Sequence, residues 1–260
     1  HRRLERGALL SQTAKTRLFV CDIDGCLAMP YQPLRLDVLG RISKRALTAG
    51  LPGSHASIPA LSICSGRSYP YVEAMSQLLA LKAPVLFESG AGMFDPVSAL
   101  TIWHPALTTE IQREVDEIRE YMTSLLALDS ALSIDHAKRA QAGMVAKEKE
   151  SLYAALENLK RWVGDNFPHF QTFHTHISID IAPQSLTKAA GMTWLAETCG
   201  VTTDEMAFIG DTNGDIGAMN VVGRSFAPSN SSHDAIAAAS HASSFRDADA
   251  VLEAYNMLSA

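Results

Sequence analysis

Positive charge is scarce in this sequence: 22 Lys and Arg stand against 28 Asp and Glu, for a net charge of −6. A dedicated nucleic-acid or membrane-surface binder would need a basic stripe to meet phosphates, so neither partner is expected. An anionic small molecule stays open, because a bound cation and a few aimed donors can reverse the local field. No apolar run approaches the ~20 residues of a membrane-spanning helix. The run Ala8-Leu9-Leu10, which follows a basic start, is too short for a signal-peptide core, so no export is expected. Cysteine is sparse and unpatterned. Cys21, Cys26, Cys64 and Cys199 form no CxxC and no zinc-type spacing. A chain of this length can build its core without disulfides, so reduced thiols in a cytoplasm are the expectation. Cys21 and Cys64 each end an apolar run, where a small buried residue packs well. Internal repeats and low-complexity segments are missing as well. What remains is ordinary globular composition, 47% hydrophobic and 19% charged over 260 residues, enough for a core domain plus a modest second one.

The hydrophobic pattern has two grammars. Arg17-Leu18-Phe19-Val20-Cys21 is a short apolar run that stops abruptly at Asp22-Ile23-Asp24-Gly25, as a strand buried on both faces does. Leu36, Leu39, Ile42 and Ala46 recur at helical spacing before Gly50 and Pro52. Leu61 to Cys64 is the next strand candidate, Val72, Met75, Leu78 and Leu79 mark a helix, and Pro84 to Phe87 reads as a third strand. Alternating strands and helices predict a doubly wound parallel sheet. From about residue 88 the pattern changes: short strands with turns to Trp103, a helix over 108–127, strands over 131–147, a helix over 150–163 and one or two strands over 170–181. These predict a compact α+β insert. The first grammar returns after Thr187, with a helix, the strand Met206 to Ile209, and further helices around a short strand near Phe226. The expected division is a core over 1–87, an α+β insert over 88–183 and the rest of the core over 184–260.

Polar clusters sit where those strands end, which is where open α/β sheets bind ligands. They are Asp22-Ile23-Asp24-Gly25, Ser65-Gly66-Arg67 and Gly210-Asp211-Thr212-Asn213-Gly214-Asp215, joined by Lys188 at a helix start. Alone, Asp-Gly is usually a turn and Ser-Gly a cap or loop, and a lone lysine on a helix is usually solvated. Together, in this order and at strand ends, they point to chemistry. Asp22 and Asp24, two apart on an extended strand end, face the same way.

This ordered set resembles the four motifs of the haloacid dehalogenase superfamily, over residues 17 to about 227. The insert between the second and third motifs resembles a type II cap of subclass B, shared by Cof-type sugar phosphatases, sucrose-phosphatase-like enzymes and archaeal phosphoglycolate phosphatases. The resemblance implies a Rossmann-like core, an aspartyl-phosphate formed on Asp22 and proton transfers by Asp24. It implies Mg²⁺ held by the carboxylates of Asp22 and Asp211 and the main-chain carbonyl of Asp24, with Asp215 as a further direct or water-mediated ligand. Ser65, the Gly66 amide and Lys188 would hold phosphate oxygens, as an anion cradle at a helix start does. Arg67 would touch substrate or pair at the surface. The family's fourth motif usually ends Asn-Asp; here Gly214 fills the Asn slot, and Asn213 is the residue left to supply the amide. Ala189 stands where a Gly often follows the lysine.

The expected function is a cytoplasmic, Mg²⁺-dependent phosphatase of a small phosphorylated metabolite, a sugar phosphate or a short phospho-acid. Two alternatives stand beside it: a sugar phosphomutase, and a non-catalytic protein that binds a phosphorylated ligand. Glu88 and Ser89 at the junction, and His174, His176 and Asp180 in the last insert strands, are candidates to face the site. Periodicity leaves the oligomeric state open.

Overall fold

The computed structural model describes residues 15–146, 148–175 and 177–259. His176 and the run Ala8-Leu9-Leu10 therefore lie outside the described residues. The chain opens with β1 (Leu18–Cys21), α1 (Leu36–Thr48), β2 (Ala60–Ile63), α2 (Tyr69–Leu78) and β3 (Val85–Phe87). There follow β4 (Gly92–Asp95), β5 (Leu100–Trp103), α3 (Thr109–Leu125), β6 (Leu132–Asp135), β7 (Ala142–Ala146), α4 (Lys149–Asn166), β8 (Phe170–His174) and β9 (Ser178–Pro183). The last part runs α5 (Lys188–Cys199), β10 (Met206–Ile209), α6 (Ile216–Val221), β11 (Arg224–Ala227), α7 (His233–Ala238), β12 (His241–Ala242) and α8 (Asp247–Met257). Among the described residues no helix is long and apolar enough to cross a membrane.

Five strands make a parallel sheet in the order β12-β11-β10-β1-β2. Successive residues of β1 point to opposite faces. Phe19 and Cys21 join the cluster under α1, α2 and α8, while Leu18 and Val20 join the one under α5, α6 and α7. Burial on both sides is why β1 reads as an unbroken apolar run. This is the doubly wound core that the alternating pattern predicts.

Pairing within that sheet sets the site. Leu18 lies opposite both Met206 and Ala60, and Cys21 opposite both Ile209 and Ile63. β10, β1 and β2 therefore end level, and the next residues of each emerge side by side at one edge.

The insert is α+β, as expected. Its β6-β7-β9-β8 sheet is antiparallel, with Leu132, Ile134, Met144, Ile179 and Ile181 packed under α3 and α4. Thr108 caps α3, its side chain accepting from Ile111 N at 3.2 Å.

Three details differ from the sequence reading. The third strand, β3, does not extend the parallel sheet; it heads a three-stranded antiparallel sheet with β4 and β5, and reaches β2 only through a single parallel bridge, Cys64 to Leu86. Phe87, Phe94 and Trp103 consequently pack with the core cluster. Leu36 and Leu78 are not on buried helix faces: they are 63% and 38% exposed, and Val38 and Ser76 are buried instead.

Candidate active site

At the carboxyl edge of β1, β2 and β10 the backbone ladder continues for one more step, with Asp22 N donating to Ile209 O and Cys64 N to Cys21 O, both at 2.9 Å. This holds Asp22 and Ser65 in register beside Asp211. Asp22 is buried, and its Oδ1 accepts from Ile23 N at 2.7 Å while its Oδ2 meets Lys188 Nζ at 2.8 Å. Lys188 begins α5, whose cap Thr187 accepts from Ala190 N. The same ammonium donates to Asp215 Oδ1 at 2.6 Å. Asp215 Oδ2 accepts from Asp211 N, Thr212 N and Thr212 Oγ1 at 2.9 to 3.1 Å, which fixes the loop after β10.

One ligand oxygen from each of Asp22, Asp211 and Asp215 can be chosen so that all three lie within 4.8 Å of one another. Three carboxylates and one ammonium do not balance, and Asp22 and Asp211 respond. Burial raises Asp22 from 3.8 to about 7, with Lys188 opposing. Burial and the charges of Asp22 and Asp215 raise Asp211 to about 8. Lys188 loses charge stability to burial but gains more from Asp215 and Asp22, and ends well above its ordinary value. Asp211 Oδ1 is buried with no hydrogen-bond partner. An oxygen-only set with an orphaned buried oxygen and excess negative charge fits a hard divalent cation such as Mg²⁺.

Gly25 belongs to this cluster for a steric reason. Its φ is +76°, and a Cβ there would overlap the Asp211 carboxylate. Its carbonyl accepts from Asn230 Nδ2 at 2.9 Å.

The loop Ser65-Gly66-Arg67 is stitched to the residues after β3, since Glu88 N donates to Arg67 O at 2.9 Å and Ser89 N to Ser65 O at 2.8 Å. Ser65 is buried beside the cluster. Arg67 forks onto Asp24, with Nε to Oδ2 and Nη2 to Oδ1 both at 2.7 Å. Asp24 and Arg67 thus meet each other at the rim. Asn213 stands apart: its amide donates to Asp234 Oδ2 at 3.1 Å and accepts from Ser232 Oγ at 2.8 Å, so it ties the loop to the start of α7. The structure leaves the position of the family's usual asparagine to Gly214, which has no side chain to contribute.

The insert reaches the site through Glu88. Its buried carboxylate accepts from Arg139 N and Ala140 N at 2.6 to 3.0 Å, and Gln141 Nε2 donates to its carbonyl at 3.0 Å. Burial raises the Glu88 carboxyl, and the two backbone donors hold it back. Asp180 pairs with the buried Lys138 on the face of the sheet away from α3 and α4. His174 lies at the other face, its ring 6.4 Å from that of Tyr153 on α4, so it does not look toward Asp180. Between core and insert lies a cavity of about 450 Å³, walled by Tyr31, Arg67, Ser68 and Tyr71 on one side and by Ile134 to Ala137 on the other. Tyr31, Tyr71 and Asn230 carry no signal in the sequence, where they are single polar or aromatic residues in turns or at helix starts.

The profile of a haloacid dehalogenase-like hydrolase matches residues 107–254, more than half of the chain. A phosphoglycolate phosphatase of Methanococcoides burtonii is 24% identical over 225 residues, covering 86% of this chain and 88% of that protein. A protein of Thermoplasma acidophilum superposes with a TM-score of 0.74 at 18% identity, over 94% of this chain and 98% of its own. The sucrose-phosphatase of Synechocystis, solved with sucrose and phosphate, gives a TM-score of 0.64 at 15% identity over 94% and 98%. At such identities the two structures speak for the fold alone.

Proposed function

Given a chain that belongs to the haloacid dehalogenase-like hydrolases and is a phosphatase of that family, we propose that it hydrolyses a small phosphate monoester with Asp22 as the nucleophile and Mg²⁺ as cofactor. The observation that carries this reading is the convergence of Asp22, Asp211, Asp215 and Lys188 at the level ends of adjacent strands.

Asp22, Asp211 and Asp215, with the main-chain carbonyl of Asp24, would hold the cation. When bound, it would neutralise charge between an anionic nucleophile and an anionic ester. Lys188, the Ser65 hydroxyl and the Gly66 amide would take the phosphate oxygens, so that the transferred group faces Asp22. Attack by an Asp22 oxygen forms an aspartyl-phosphate and breaks the bond to the leaving oxygen, which takes a proton from Asp24. Asp24 then removes a proton from water, and the resulting attack frees phosphate and restores Asp22.

The segment 88–183 would act as a cap that selects the leaving group, with the β4–β5 hairpin staying against the parallel core. The substrate would be a sugar phosphate or a short phosphorylated acid, since the cavity of about 450 Å³ suits a small metabolite. Four free thiols, three of them buried, suit a cytoplasmic setting.

The test is phosphate release from sugar phosphates, phosphoglycolate and an aryl phosphate, with and without Mg²⁺. We expect metal-dependent release that Asp22→Asn lowers by at least ~10³-fold without loss of the fold. Full turnover by that variant would remove the mechanism.

A further inference from the structure

The sequence leaves Arg67 to touch substrate or to pair at the surface, and in the structure it holds Asp24. The pair is bidentate, with both distances 2.7 Å, and its side chains are only 23% and 33% exposed. The guanidinium carbon lies 5.2 Å from the centroid of the Tyr31 ring and 5.0 Å from that of Tyr71. A planar fork flanked by two rings has already given up most of its rotamer freedom, so little ordering remains to be done when a ligand arrives. Arg67 and both tyrosines also wall the cavity between core and insert. The one acid on the opposite wall, Asp135, already accepts from Ala137 N at 3.1 Å.

The fork is therefore a built carboxylate site at the mouth of the active site, and its occupant is Asp24, one of the two aspartates of the proposed chemistry. While both Asp24 oxygens accept from Arg67, that side chain is not free to serve a leaving oxygen. We propose that the substrate's leaving group carries a carboxylate, which takes the fork from Asp24. Arg67 would then be the specificity-determining residue, and the substrate a short phosphorylated hydroxy acid. This rests on the reading of the chain as a phosphatase. The exchange swaps one carboxylate for another: the guanidinium stays paired, its ring neighbours stay in place, and Asp24 is released next to the cavity that the leaving group fills. A neutral alcohol, whether sugar or short diol, brings no anion with which to displace Asp24. Its ester must bind against a closed pair or open that pair without compensation. Arg67 thus couples recognition of the leaving group to the availability of Asp24.

The test separates binding from turnover. In the Asp22→Asn protein with excess Mg²⁺, titration calorimetry compares 2-phosphoglycolate with 2-hydroxyethyl phosphate, which has the same heavy-atom chain but no carboxylate. Charge-assisted hydrogen bonds, offset by those given up to Asp24, should make the acid bind about 10- to 100-fold more tightly. Adding Arg67→Met should bring the two affinities within about threefold of each other, and Arg67→Lys, which keeps the charge but not the fork, should fall between. A ratio near one with Arg67 present, or a ratio that survives in both Arg67 variants, overturns the proposal. Circular dichroism checks each variant's fold, and Arg67→Lys decides the matter if the methionine variant does not fold. Phosphate release by the unmodified protein is read separately: silence with every ester would sink the phosphatase reading, while the affinity ratio would still decide whether Arg67 is a carboxylate site.

Discussion

Replacing Asp211 by Asn should stabilise the metal-free protein and abolish its response to metal. Burial and two neighbouring carboxylates raise the Asp211 carboxyl from 3.8 to about 8. A group whose folded pKa is raised favours the folded state when protonated, so its contribution is complete below the unfolded value and is lost as the pH climbs to the folded one. At ~1.4 kcal/mol per unit, keeping this carboxylate ionised at pH 8 costs at most ~5 kcal/mol. Water reaching a partly buried group and relaxation of its neighbours reduce that to ~2 kcal/mol. The amide has the carboxylate's shape and no charge. In chelator at pH 8 the Asp211→Asn protein should therefore melt ~4–8 °C above the unmodified chain, measured by calorimetry or circular dichroism. The gain should shrink to a small fraction by pH 4.5, where the native carboxyl is itself protonated. Excess Mg²⁺ should raise the melting point of the native protein by mass action and leave the variant nearly unmoved, which reverses the order at pH 8. A variant that melts no higher than the native protein in chelator at pH 8, or gains equally at both pH values, would refute the charge-crowding argument.

Removing the cation within the cluster should act in the opposite sense. Lys188→Met leaves the buried Asp22 and Asp215 carboxylates without their ammonium, at a cost of ~3–5 kcal/mol in urea unfolding, smaller when Mg²⁺ is present. Asn213→Ala should change kcat/KM by less than ~3-fold and stability by ~1 kcal/mol, because the amide serves Asp234 and Ser232; a hundredfold loss of turnover would mean that it reaches substrate after all. Glu88→Ala strips the acceptor from Arg139 N and Ala140 N, at ~1–3 kcal/mol. Amide exchange at 138–141 should quicken and KM should rise more than kcat falls; unchanged exchange would show that the loop is held by something else.

The parts of this structure that could be read in the sequence share one property: they depend on the order of residues along a strand. Leu18 to Cys21 is apolar throughout because both faces are covered, and the break at Asp22 marks the carboxyl end of the strand. The same holds for Cys64 before Ser65 and Ile209 before Gly210, so the sequence alone puts the three clusters at strand ends, and the level pairing brings them to one edge. What was illegible depends on which way a chain turns next. Nothing in Val85 to Phe87 says that it pairs with the hairpin behind it and not with β2 alone. Leu36 and Leu78 fit the helical period, yet each lies just off the stripe that meets the sheet. The direction of a single polar side chain is harder still. Arg67 follows a serine and a glycine that line the site, but its own partner, Asp24, is 43 positions away. Asn213 has the right chemistry one place too early, and the third of a turn that separates it from Gly214 sends its amide to α7.

The contact between Gly90 and α5 has a consequence for the chain as a thread. A Cβ built on Gly90 would come within 2.7 Å of Gly191 Cα and 3.2 Å of Thr187 O, so the turn after β3 and the first turn of α5 pass almost in touch. Seen from the core, the hundred or so residues between form a loop whose two ends are already closed. The entropy of closing such a loop grows only with the logarithm of its length, about 0.6 kcal/mol for each doubling. The β4–β5 hairpin packs on the core through Met93, Phe94 and Trp103, but lengthening, shortening or exchanging the part beyond it therefore perturbs the parallel sheet little, provided that two glycines' worth of space remains at the crossing. The doorway, and not what lies beyond it, is the part that the core cannot afford to change.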